Sequence, residues 1–453
     1  ALPVSGWGHA SENPERPDGL EAEGIVFIGP SGGPMRALGD KIAASILAQT
    51  AKVPQIPWSG DGLTVDPQVV IATGAVPDDL FRKAMVTTAD EAVAAANRIG
   101  YPVMLKASEG GGGKGIRMNA NEDELRTNFV QVENEVPGSP MFMMQLCTGA
   151  RHLEVQIVGD EHGNAIALNG RDCSTQRRFQ KIFEEGPPII APPATFREME
   201  RAAQRLTQSI GYSGAGTVEY LFSAAENKFS FLELNPRLQV EHPVTEGLTG
   251  VNLPATQLQV AMGIPLNHIP EVRRFYGRSD SYGKDKIDFI EEDYPSINKH
   301  VIAARITAEN PDEGFKPTSG KIDRITFQSN TDVWGYFSVT ADGGVEVDDH
   351  TVLEQCHTCL ALAQACCAIA ANRTGGSFVL KIFEGCTAPT LDLCRLLRML
   401  YASVTVEKPR TSKACNSERY VICVNFRPTE PLRSQIVTAL ERATQQTRHG
   451  PAF

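Results

Sequence analysis

The sequence predicts an α/β or α+β fold, and two observations indicate it. Short apolar runs that are typical of strands alternate with helical patterns through the middle of the chain. A chain of 453 residues with 42% hydrophobic and 21% charged residues also has the composition of a globular protein with two or three domains. The strand candidates are 153–158, 216–222 and 229–234, and the helix candidates are 196–210 and 253–262.

The N-terminal part predicts a strand, a helix and a connection, in that order. The apolar run 25–28 is expected to be a buried strand because it ends in a Gly-Pro turn. A helix is expected over 37–52, and the prolines and glycines of 53–62 predict a linker between subdomains. Much later in the chain, the charged and irregular stretch 278–296 predicts a surface loop.

The next elements lead to a lysine. Thr88 and Glu91 have the spacing of a capping box and predict a helix that stops at Gly100. The run 102–106 then predicts a strand that ends at Lys106.

A glycine run follows this lysine. Gly111, Gly112 and Gly113 belong to residues 110–113, whose backbone N–H groups are free to approach phosphate oxygens. Lys106 would add positive charge nearby. A flexible hairpin tip is the alternative, and the run is not a Walker A loop because no Gly-Lys-Ser/Thr ending follows.

The segment 231–242 alternates apolar and polar residues. If it is extended, five polar side chains share one face: Glu233, Asn235, Arg237, Gln239 and Glu241. Antiparallel pairing with the preceding strand would bring Glu219 beside Glu233 and Asn235. Two carboxylates and an amide oxygen suit Mg²⁺ held between protein and nucleotide phosphates. A solvent-facing strand is the alternative interpretation.

Two further features are basic. Residues 171–181 form a basic cluster that contains Gln176 and Lys181, for which a solvated charged hairpin is the alternative. Arg305 lies in an otherwise apolar strand, so an inward-facing guanidinium there needs an anionic partner.

Bulk charge and hydropathy exclude some partners. The net charge of −11 argues against nucleic acid as the main partner, although a nucleotide would need only a local basic pocket. No stretch approaches the roughly 18–20 apolar residues of a membrane span, and no signal pattern opens the chain. We therefore expect no membrane partner and a cytoplasmic location, with the plastid as an alternative because the chain begins at Ala1 rather than Met.

Cysteine usage predicts a boundary late in the chain. Eight of the ten cysteines fall between Cys356 and Cys423. A metal or redox site at Cys356 and Cys359 is possible, but reduced buried thiols are favoured because no second CxxC follows at zinc-finger spacing.

Several separated motifs together resemble a known family. They are Gly39 to Lys41, Lys106 with its glycine loop, and residues 151–154, 176–181 and 233–242. These motifs are similar to those of the ATP-grasp biotin carboxylases. Residues 6–14 and 333–339 resemble the eukaryotic acetyl-CoA carboxylases within that family. The resemblance runs from residue 1 to about 344 and implies an ATP-grasp fold.

The resemblance implies a nucleotide and metal site. The residues that would contact ATP are Lys41, Lys106, Gly111, Gly112, Gly113, His152 and Gln176. The residues that would hold Mg²⁺ or Mn²⁺ are Glu219, Glu233 and Asn235.

The resemblance also implies a reaction. Glu241 would be the general base that removes the bicarbonate proton, so that bicarbonate attacks the γ-phosphate and gives carboxyphosphate. Lys181 and Arg237 would neutralise that intermediate, and Arg305 would stabilise the biotin enolate that receives CO₂. Biotin would be a substrate on a separate carrier domain or protein, because the chain has no Met-Lys-Met motif.

The chain departs from the family pattern in three respects. Phe179 stands where the family has histidine, which predicts weaker ATP binding or impaired turnover, and Gly186 replaces an alanine. Part of the family's N-terminal subdomain is expected to be missing before Ala1. The C-terminal part of the last subdomain is also expected to be missing, so a homodimer would have an incomplete surface.

The C-terminal segment resembles another family. Residues 353–425 are similar to the end of the FtsJ-type RNA ribose 2′-O-methyltransferases, most nearly the mRNA cap enzymes. Lys381 and Glu418 would be the last two members of that family's Lys-Asp-Lys-Glu set. The first lysine, the aspartate and the S-adenosylmethionine loop have no counterpart, so this segment is expected to be a partial, Rossmann-like remnant.

Four segments follow from the two resemblances. They are a remnant N-terminal subdomain (1–56), an ATP-grasp lid (57–146), an incomplete catalytic subdomain (147–344) and a partial methyltransferase segment (345–453). The predicted function is the biotin carboxylase half-reaction of acetyl-CoA carboxylase, which serves fatty acid synthesis. The alternatives are a noncatalytic ATP-binding fragment or gene fusion, and an RNA cap methyltransferase.

Overall fold

The computed structural model describes most of the chain in two compact units. The described residues are 9–109, 115–177, 180–318, 365, 369, 374–383, 388–408, 418–428, 432 and 435–439. One unit is Val4–Ile306, and the other joins Ala1–Pro3 to Thr307–Phe453. The division into the four segments named above stays a prediction.

The larger unit mixes helices and strands, which confirms the predicted fold class. Its helices are α1 Glu15–Ala22, α2 Gly32–Gly39, α3 Lys41–Thr50, α4 Pro67–Thr73, α5 Asp78–Ala84, α6 Ala89–Ile99, α7 Glu122–Glu135, α8 Pro193–Ser209, α9 His242–Thr249, α10 Leu253–Ala261 and α11 Pro270–Phe275. Its strands are β1 Val103–Ala107, β2 Ile116–Asn119, β3 Met141–Gln145, β4 Arg151–Gly159, β5 Ala165–Arg177, β6 Gln180–Gly186, β7 Gly214–Ser223, β8 Lys228–Asn235 and β9 Val301–Ala304.

A small antiparallel sheet carries the predicted lysine. Its described strands lie in the order β2-β1-β3, and the apolar faces of α6 and α7 share a buried cluster with it. The predicted capping box is confirmed, because Thr88 Oγ1 accepts from Glu91 N at 3.2 Å and α6 ends before Gly100. The predicted strand at 102–106 is confirmed as β1.

The main sheet is antiparallel, and its described strands lie in the order β8-β7-β4-β5-β6-β9. Helices α3 and α8 bury apolar residues against β4, β7 and β8 in one cluster, to which Ile46, Leu153 and Leu206 belong. A second cluster joins β4 and β5 to α10 and α11. Because the strands are long and held by helices, side chains at matching positions on neighbouring strands have defined neighbours.

Two predictions for the N-terminal part are corrected. The predicted strand at 25–28 is wrong, because only Ile28 forms a β-bridge and Val26 is 46% exposed. The predicted helix at 37–52 is two helices, α2 and α3. They are separated at Asp40, whose backbone is extended and whose side chain accepts from Ile42 N and Ala43 N and so caps α3.

Two irregular segments are more buried than expected. Residues 53–62 contain no helix or strand, as expected for a connection, but Trp58 is fully buried and forms a bridge with Met144. The stretch 278–296 is also irregular, but Ile287 and Phe289 are buried in the cluster with α10 and α11.

The smaller unit has its own core. Strands β12 Phe378–Phe383, β13 Tyr401–Glu407 and β14 Glu418–Phe426 pair antiparallel in the order β12-β14-β13, and helix α12 Ala388–Leu400 shares their buried cluster. A short pair precedes them, β10 Glu309–Asn310 with β11 Lys316–Pro317. Lys381 lies opposite Tyr420, and Glu418 lies opposite Phe383.

Several predictions fall outside the described residues. These are the predictions for Gly111, Gly112, Gly113, Phe179, Cys356 and Cys359. In the described part of the chain, no helix is both long and apolar enough to cross a membrane.

Candidate active site

A row of charged residues crosses four neighbouring strands of the main sheet. Glu233 on β8 lies opposite Glu219 on β7, Glu219 lies opposite Glu154 on β4, and Glu154 lies opposite Arg171 on β5. Like charges directly opposite each other destabilise a sheet. A row of three adjacent carboxylates therefore needs cations to hold it together.

Lys181 supplies one such cation. From β6, its Nζ donates to Glu154 Oε2 at 2.5 Å, Glu219 Oε1 at 2.9 Å and Glu241 Oε1 at 3.0 Å. Burial alone would lower the pKa of Lys181, but the charges of these three carboxylates outweigh it and raise the pKa well above its usual value. The lysine is therefore charged and central to the cluster.

A hydrogen-bonded chain runs from Glu219 toward the solvent. Glu219 Oε2 lies 2.5 Å from His152 Nε2, and His152 Nδ1 lies 2.8 Å from Gln176 Nε2. Burial disfavours the charged form of both groups. Lys181 and His152 nevertheless lower the pKa of Glu219, and the hydrogen bond that His152 makes to Glu219 raises the pKa of His152. The structure therefore brings the predicted nucleotide residues His152 and Gln176 beside the predicted metal residue Glu219.

The segment 231–242 is extended only in its first part, so its polar residues share one strand face only as far as Asn235. Strand β8 ends at Asn235, because Pro236 has no backbone N–H to continue the ladder, and α9 begins at His242. The predicted pairing of Glu219 with Glu233 is confirmed, and Asn235 Nδ2 donates to Glu219 Oε1 at 2.9 Å.

The turn after β8 returns two of its polar residues to the cluster. Gln239 Nε2 donates to Glu219 Oε1 at 3.4 Å. Glu241 accepts from Lys181 and, through Oε2, from Arg305 Nη2 at 3.2 Å. Burial would raise the pKa of Glu241, but Lys181, Arg171 and Arg305 outweigh burial and lower it to about 2. The Glu241 carboxylate is therefore ionised at neutral pH.

Arg305 has the anionic partners that its sequence context predicted. It follows β9, and its Nη2 also donates to Glu184 Oε1 at 3.3 Å. Burial and the charge of Glu241 raise the pKa of Glu184 to about 7, against the lowering effect of Arg305. Arg305 therefore lies between two carboxyl groups of different proton affinity.

Arg237 makes a different contact. Its Nε donates to Glu12 Oε1 at 2.7 Å, and its Nη1 donates to Leu238 O at 3.4 Å. None of the hydrogen bonds in the described part of the chain joins Arg237 to Glu241 or Lys181. The structure thus leaves this predicted catalytic residue at the edge of the cluster.

Two lysines approach Glu233 from the small sheet and α3. Burial lowers the pKa of Lys106 to about 8, while the charge of Glu233 raises it and that of Lys41 lowers it. Lys41 Nζ donates to Ser108 O at 3.0 Å. Both predicted nucleotide lysines thus lie within electrostatic range of Glu233.

The donor atoms suit a hard divalent cation. Glu219, Glu233 and Asn235 offer oxygen ligands from two paired strands, which is the donor type that Mg²⁺ prefers. Among the described residues, the group of possible ligand atoms within 4.8 Å of one another is a different set: His152, Glu154 and Glu219. The set of Glu219, Glu233 and Asn235 suits Mg²⁺ better, because all of its ligand atoms are oxygens, whereas His152 offers a nitrogen.

The sequence interpretation missed Glu154, Glu184 and Arg171 as site residues. Glu154 could have been found, because His152 and Glu154 are two apart on a strand and so share a face. Arg171 belongs to the predicted basic cluster 171–181, but its role was not predicted, because that role depends on pairing with β4.

Gly186 has a local structural reason. A Cβ at this position would lie 2.6 Å from Leu248 Cδ1 and 2.9 Å from Val244 Cγ1 of α9. An alanine here would therefore require these two side chains to move.

Two family models match the chain. Residues 78–269 match the ATP binding domain of the carbamoyl-phosphate synthase L chain. Residues 284–426 match the FtsJ-like methyltransferase family.

Curated relatives match most of this chain. An acetyl-CoA carboxylase of Dictyostelium discoideum is 59% identical over 348 residues, which is 75% of this chain and 15% of that protein. An acetyl-CoA carboxylase of Schizosaccharomyces pombe is 54% identical over 354 residues, with the same two coverages. The chain thus spans about 15% of the length of the curated relatives it matches.

Solved structures agree with these relatives. A biotin carboxylase of Campylobacter jejuni, in complex with an ATP analogue, has a TM-score of 0.55 and 34% identity, covering 69% of this chain and 60% of that one. The biotin carboxylase domain of Hydrogenobacter thermophilus 2-oxoglutarate carboxylase has a TM-score of 0.58 and 26% identity, covering 98% and 73%. Over three quarters of its length the chain therefore belongs to the ATP-grasp biotin carboxylase family, in its acetyl-CoA carboxylase branch, and an FtsJ-like segment follows.

Proposed function

We propose that the larger unit catalyses the biotin carboxylase half-reaction, in which ATP and bicarbonate carboxylate biotin. The observation that carries the proposal is Lys181, which lies among Glu154, Glu219 and Glu241 beside Arg305. Such an arrangement can bind anionic substrates and a divalent cation at one point. The Hydrogenobacter thermophilus relative is described in complex with MgADP, ADP and bicarbonate, which supports this choice of ligands.

The nucleotide would be held from two sides. Lys41 and Lys106 would bind ATP phosphates from one side, and His152 and Gln176 from the other. Gly111, Gly112 and Gly113 are also proposed to bind ATP. Glu219, Glu233 and Asn235 would hold Mg²⁺ or Mn²⁺, which neutralises charge on the phosphate oxygens during transfer. Since the pKa of Lys106 is about 8, this lysine is still mostly charged at neutral pH.

Glu241 would act as the base toward bicarbonate. Its low pKa depends on Lys181 and Arg305 after the opposing effect of burial. Bound bicarbonate and phosphate oxygens would compete for these two cations, so the proton affinity of Glu241 would rise when the site fills. The carboxylate would then accept the bicarbonate proton while Lys181 holds the developing carboxyphosphate.

Arg305 and Arg237 would stabilise two anions of the reaction, the biotin enolate and carboxyphosphate. Arg305 would stabilise the biotin enolate, since it already contacts an oxygen of Glu241. Arg237 would have to exchange its contact with Glu12 for the carboxyphosphate.

The partners and compartment follow from the same proposal. Biotin would arrive on a carrier domain or protein, as the substrate of a cytoplasmic or plastid acetyl-CoA carboxylase that serves fatty acid synthesis. A homodimer is also proposed, because the Hydrogenobacter thermophilus relative is described as a dimer of biotin carboxylase domains.

The test is phosphate release from ATP with Mg²⁺ and free biotin, measured with and without bicarbonate. We expect Glu241→Gln to lower the bicarbonate-dependent rate by about 100-fold or more, because a general base contributes that much. Glu226→Gln is the matched control, since Glu226 is an exposed glutamate that forms an ion pair with Lys228.

The other outcome favours the noncatalytic alternative. If the chain binds ATP but releases no phosphate in response to bicarbonate, it is an ATP-binding fragment without the reaction.

A second candidate activity, RNA ribose methyl transfer, has one supporting observation, the FtsJ-like match over residues 284–426. The missing lysine, aspartate and cofactor loop argue against it. Equilibrium dialysis with S-adenosylmethionine tests it, and we expect no binding.

A further inference from the structure

Arg171 is a fully buried arginine that uses all of its hydrogen-bond donors. Its Nε donates to Glu154 Oε1. Its Nη1 donates to Gln156 Oε1 at 3.0 Å and Thr245 Oγ1 at 2.7 Å. Its Nη2 donates to Gln239 Oε1 at 3.3 Å and Thr217 Oγ1 at 3.5 Å. Since a guanidinium has five N–H donors, none remains for a substrate.

The partners of Arg171 lie on several of the segments that surround the reacting groups. Glu154 and Gln156 are on β4, Thr217 is on β7, Gln239 is in the turn after β8, and Thr245 is on α9. A planar guanidinium with fixed donor directions holds such partners at defined angles. The side chain therefore connects four segments of the chain at one buried point.

Two of these contacts lead to Lys181. Glu154 accepts from Arg171 through Oε1 and from Lys181 through Oε2. If Arg171 were lost, the Glu154 carboxylate would be free to turn, and Lys181 would lose one of its three anchors.

Two other contacts lead to Glu241. Gln239 precedes Glu241 by two residues, and Thr245 follows it by four residues on α9. Arg171 thus holds the chain on both sides of Glu241, whose carboxylate accepts from Lys181 and Arg305.

We propose that Arg171 is the positioning residue of the carboxylation reaction, which holds Lys181 through Glu154 and Glu241 through Gln239 and Thr245. This inference rests on the proposed function only for its kinetic consequences. The geometry of Lys181 can be measured without any turnover.

The first test compares Arg171→Lys with Arg171→Met. Lysine keeps the charge but cannot make five directed bonds, so we expect kcat for bicarbonate-dependent phosphate release to fall about 10–100-fold, with little change in KM for ATP. Methionine also removes one of the charges that lower the pKa of Glu241 against burial. We therefore expect the acid limb of the pH profile to move to higher pH in Arg171→Met and to move less in Arg171→Lys.

The second test needs no activity. Each lysine is acetylated with limiting acetic anhydride, and the rate at Lys181 is read by mass spectrometry. We expect Lys181 to react faster in both variants than in the parent chain, because Glu154 no longer holds the ammonium. If the parent chain releases no phosphate, the proposed function fails, and the labelling still decides the positioning role.

Two further variants separate positioning from loss of stability. Arg273→Lys is the matched control, because Arg273 is 1% exposed but bonds to Asp285 and backbone oxygens outside the site. It should lower stability without changing Lys181 labelling or the pH profile. Thr245→Val removes one acceptor of Arg171 with little change in side-chain shape. Because Arg171 would then hold Glu154 less firmly, the acetylation rate of Lys181 should rise.

The outcomes are decisive in both directions. Normal labelling of Lys181 and normal kcat in folded Arg171→Lys would overturn the proposal. If neither Arg171 variant folds, unchanged labelling in Thr245→Val overturns it, and faster labelling supports it.

Discussion

Two buried ionic clusters in the described part of the larger unit are built differently. In the Glu200 cluster (Glu200, Arg197, Tyr294 and Asn169), one carboxylate accepts from Tyr294 Oη at 2.7 Å and from Arg197 Nη1 at 3.0 Å. Arg197 also lies 4.6 Å from the centre of the Tyr294 ring, and Asn169 Nδ2 donates to Tyr294 Oη at 3.0 Å. Each oxygen of this carboxylate has one good donor.

The site cluster (Glu154, Glu219, Glu233, Glu241, Lys181 and Arg171) is not balanced in this way. Three of its carboxylates are cross-strand neighbours, and one lysine is shared by Glu154, Glu219 and Glu241. An arrangement made for stability alone would not place like charges side by side. The comparison teaches that an excess of buried charge of one sign marks a place where a ligand of the other sign is expected.

The largest expected effect is that of removing the shared cation. We expect Lys181→Met to lower the free energy of unfolding by about 3–5 kcal/mol at pH 7, because breaking a buried ion pair leaves uncompensated charge. Urea unfolding measures it. Arg197→Met in the Glu200 cluster is the matched change. It should lower the free energy of unfolding by less, because Glu200 can take up a proton.

The outcome for these two variants tests the comparison directly. If Arg197→Met lowers the free energy of unfolding as much as Lys181→Met, the two clusters do not differ as described. The Lys181→Met protein should also regain part of its stability at pH 5, where protonation relieves the repulsion among the carboxylates.

A smaller effect is expected from the pH dependence of the Glu200 cluster. Burial raises the pKa of Glu200 to about 7, against the effects of Arg197 and Tyr294. Because the folded pKa lies above the ordinary value of 4.5, the unfolded chain loses this proton first as the pH rises. Stability should therefore fall between pH 4.5 and 7, by about 3 kcal/mol in total from this group.

Glu200→Gln should remove that part of the pH dependence. Urea unfolding at several pH values between 4.5 and 8 compares the variant with the parent chain. Bicarbonate-dependent phosphate release should be unchanged. An unchanged slope of stability against pH would show that Glu200 does not titrate in this range.

The smallest effect is expected at Glu233. Burial and the charge of Glu219 raise the pKa of Glu233, so its ionised form destabilises the folded chain as the pH rises. Glu233→Gln should therefore raise the free energy of unfolding by about 0.2–1 kcal/mol at pH 8 without a divalent cation.

Mg²⁺ should raise the melting temperature of Glu233→Gln less than that of the parent chain. Thermal unfolding with and without Mg²⁺ measures it, because a cation that binds the folded state raises the melting temperature. A Glu233→Gln protein that Mg²⁺ stabilises as well as the parent would remove Glu233 from the proposed metal set. Glu226→Gln is again the exposed control.

Local signals predicted much of the fold correctly. The capping box at Thr88, the strand that ends near Lys106 and the antiparallel pairing of Glu219 with Glu233 depend on neighbours in sequence or on adjacent strands. The errors arose where a distant contact competes with a local pattern. Asp40 interrupts a helical run. Its Oδ2 accepts from the hydroxyl of Ser108, a residue far along the chain, at 2.7 Å.

The sequence by itself determined several strands, such as β1, β7 and β8, and the family to which the chain belongs. Only the tertiary structure decided that Arg171 is buried against Glu154, and that the turn after Asn235 returns Glu241 to Lys181. The physical reason is the distance along the chain between the residues that interact. A strand or a helix cap depends on residues a few positions apart, whereas these ion pairs depend on the order of strands and on a proline that ends one of them.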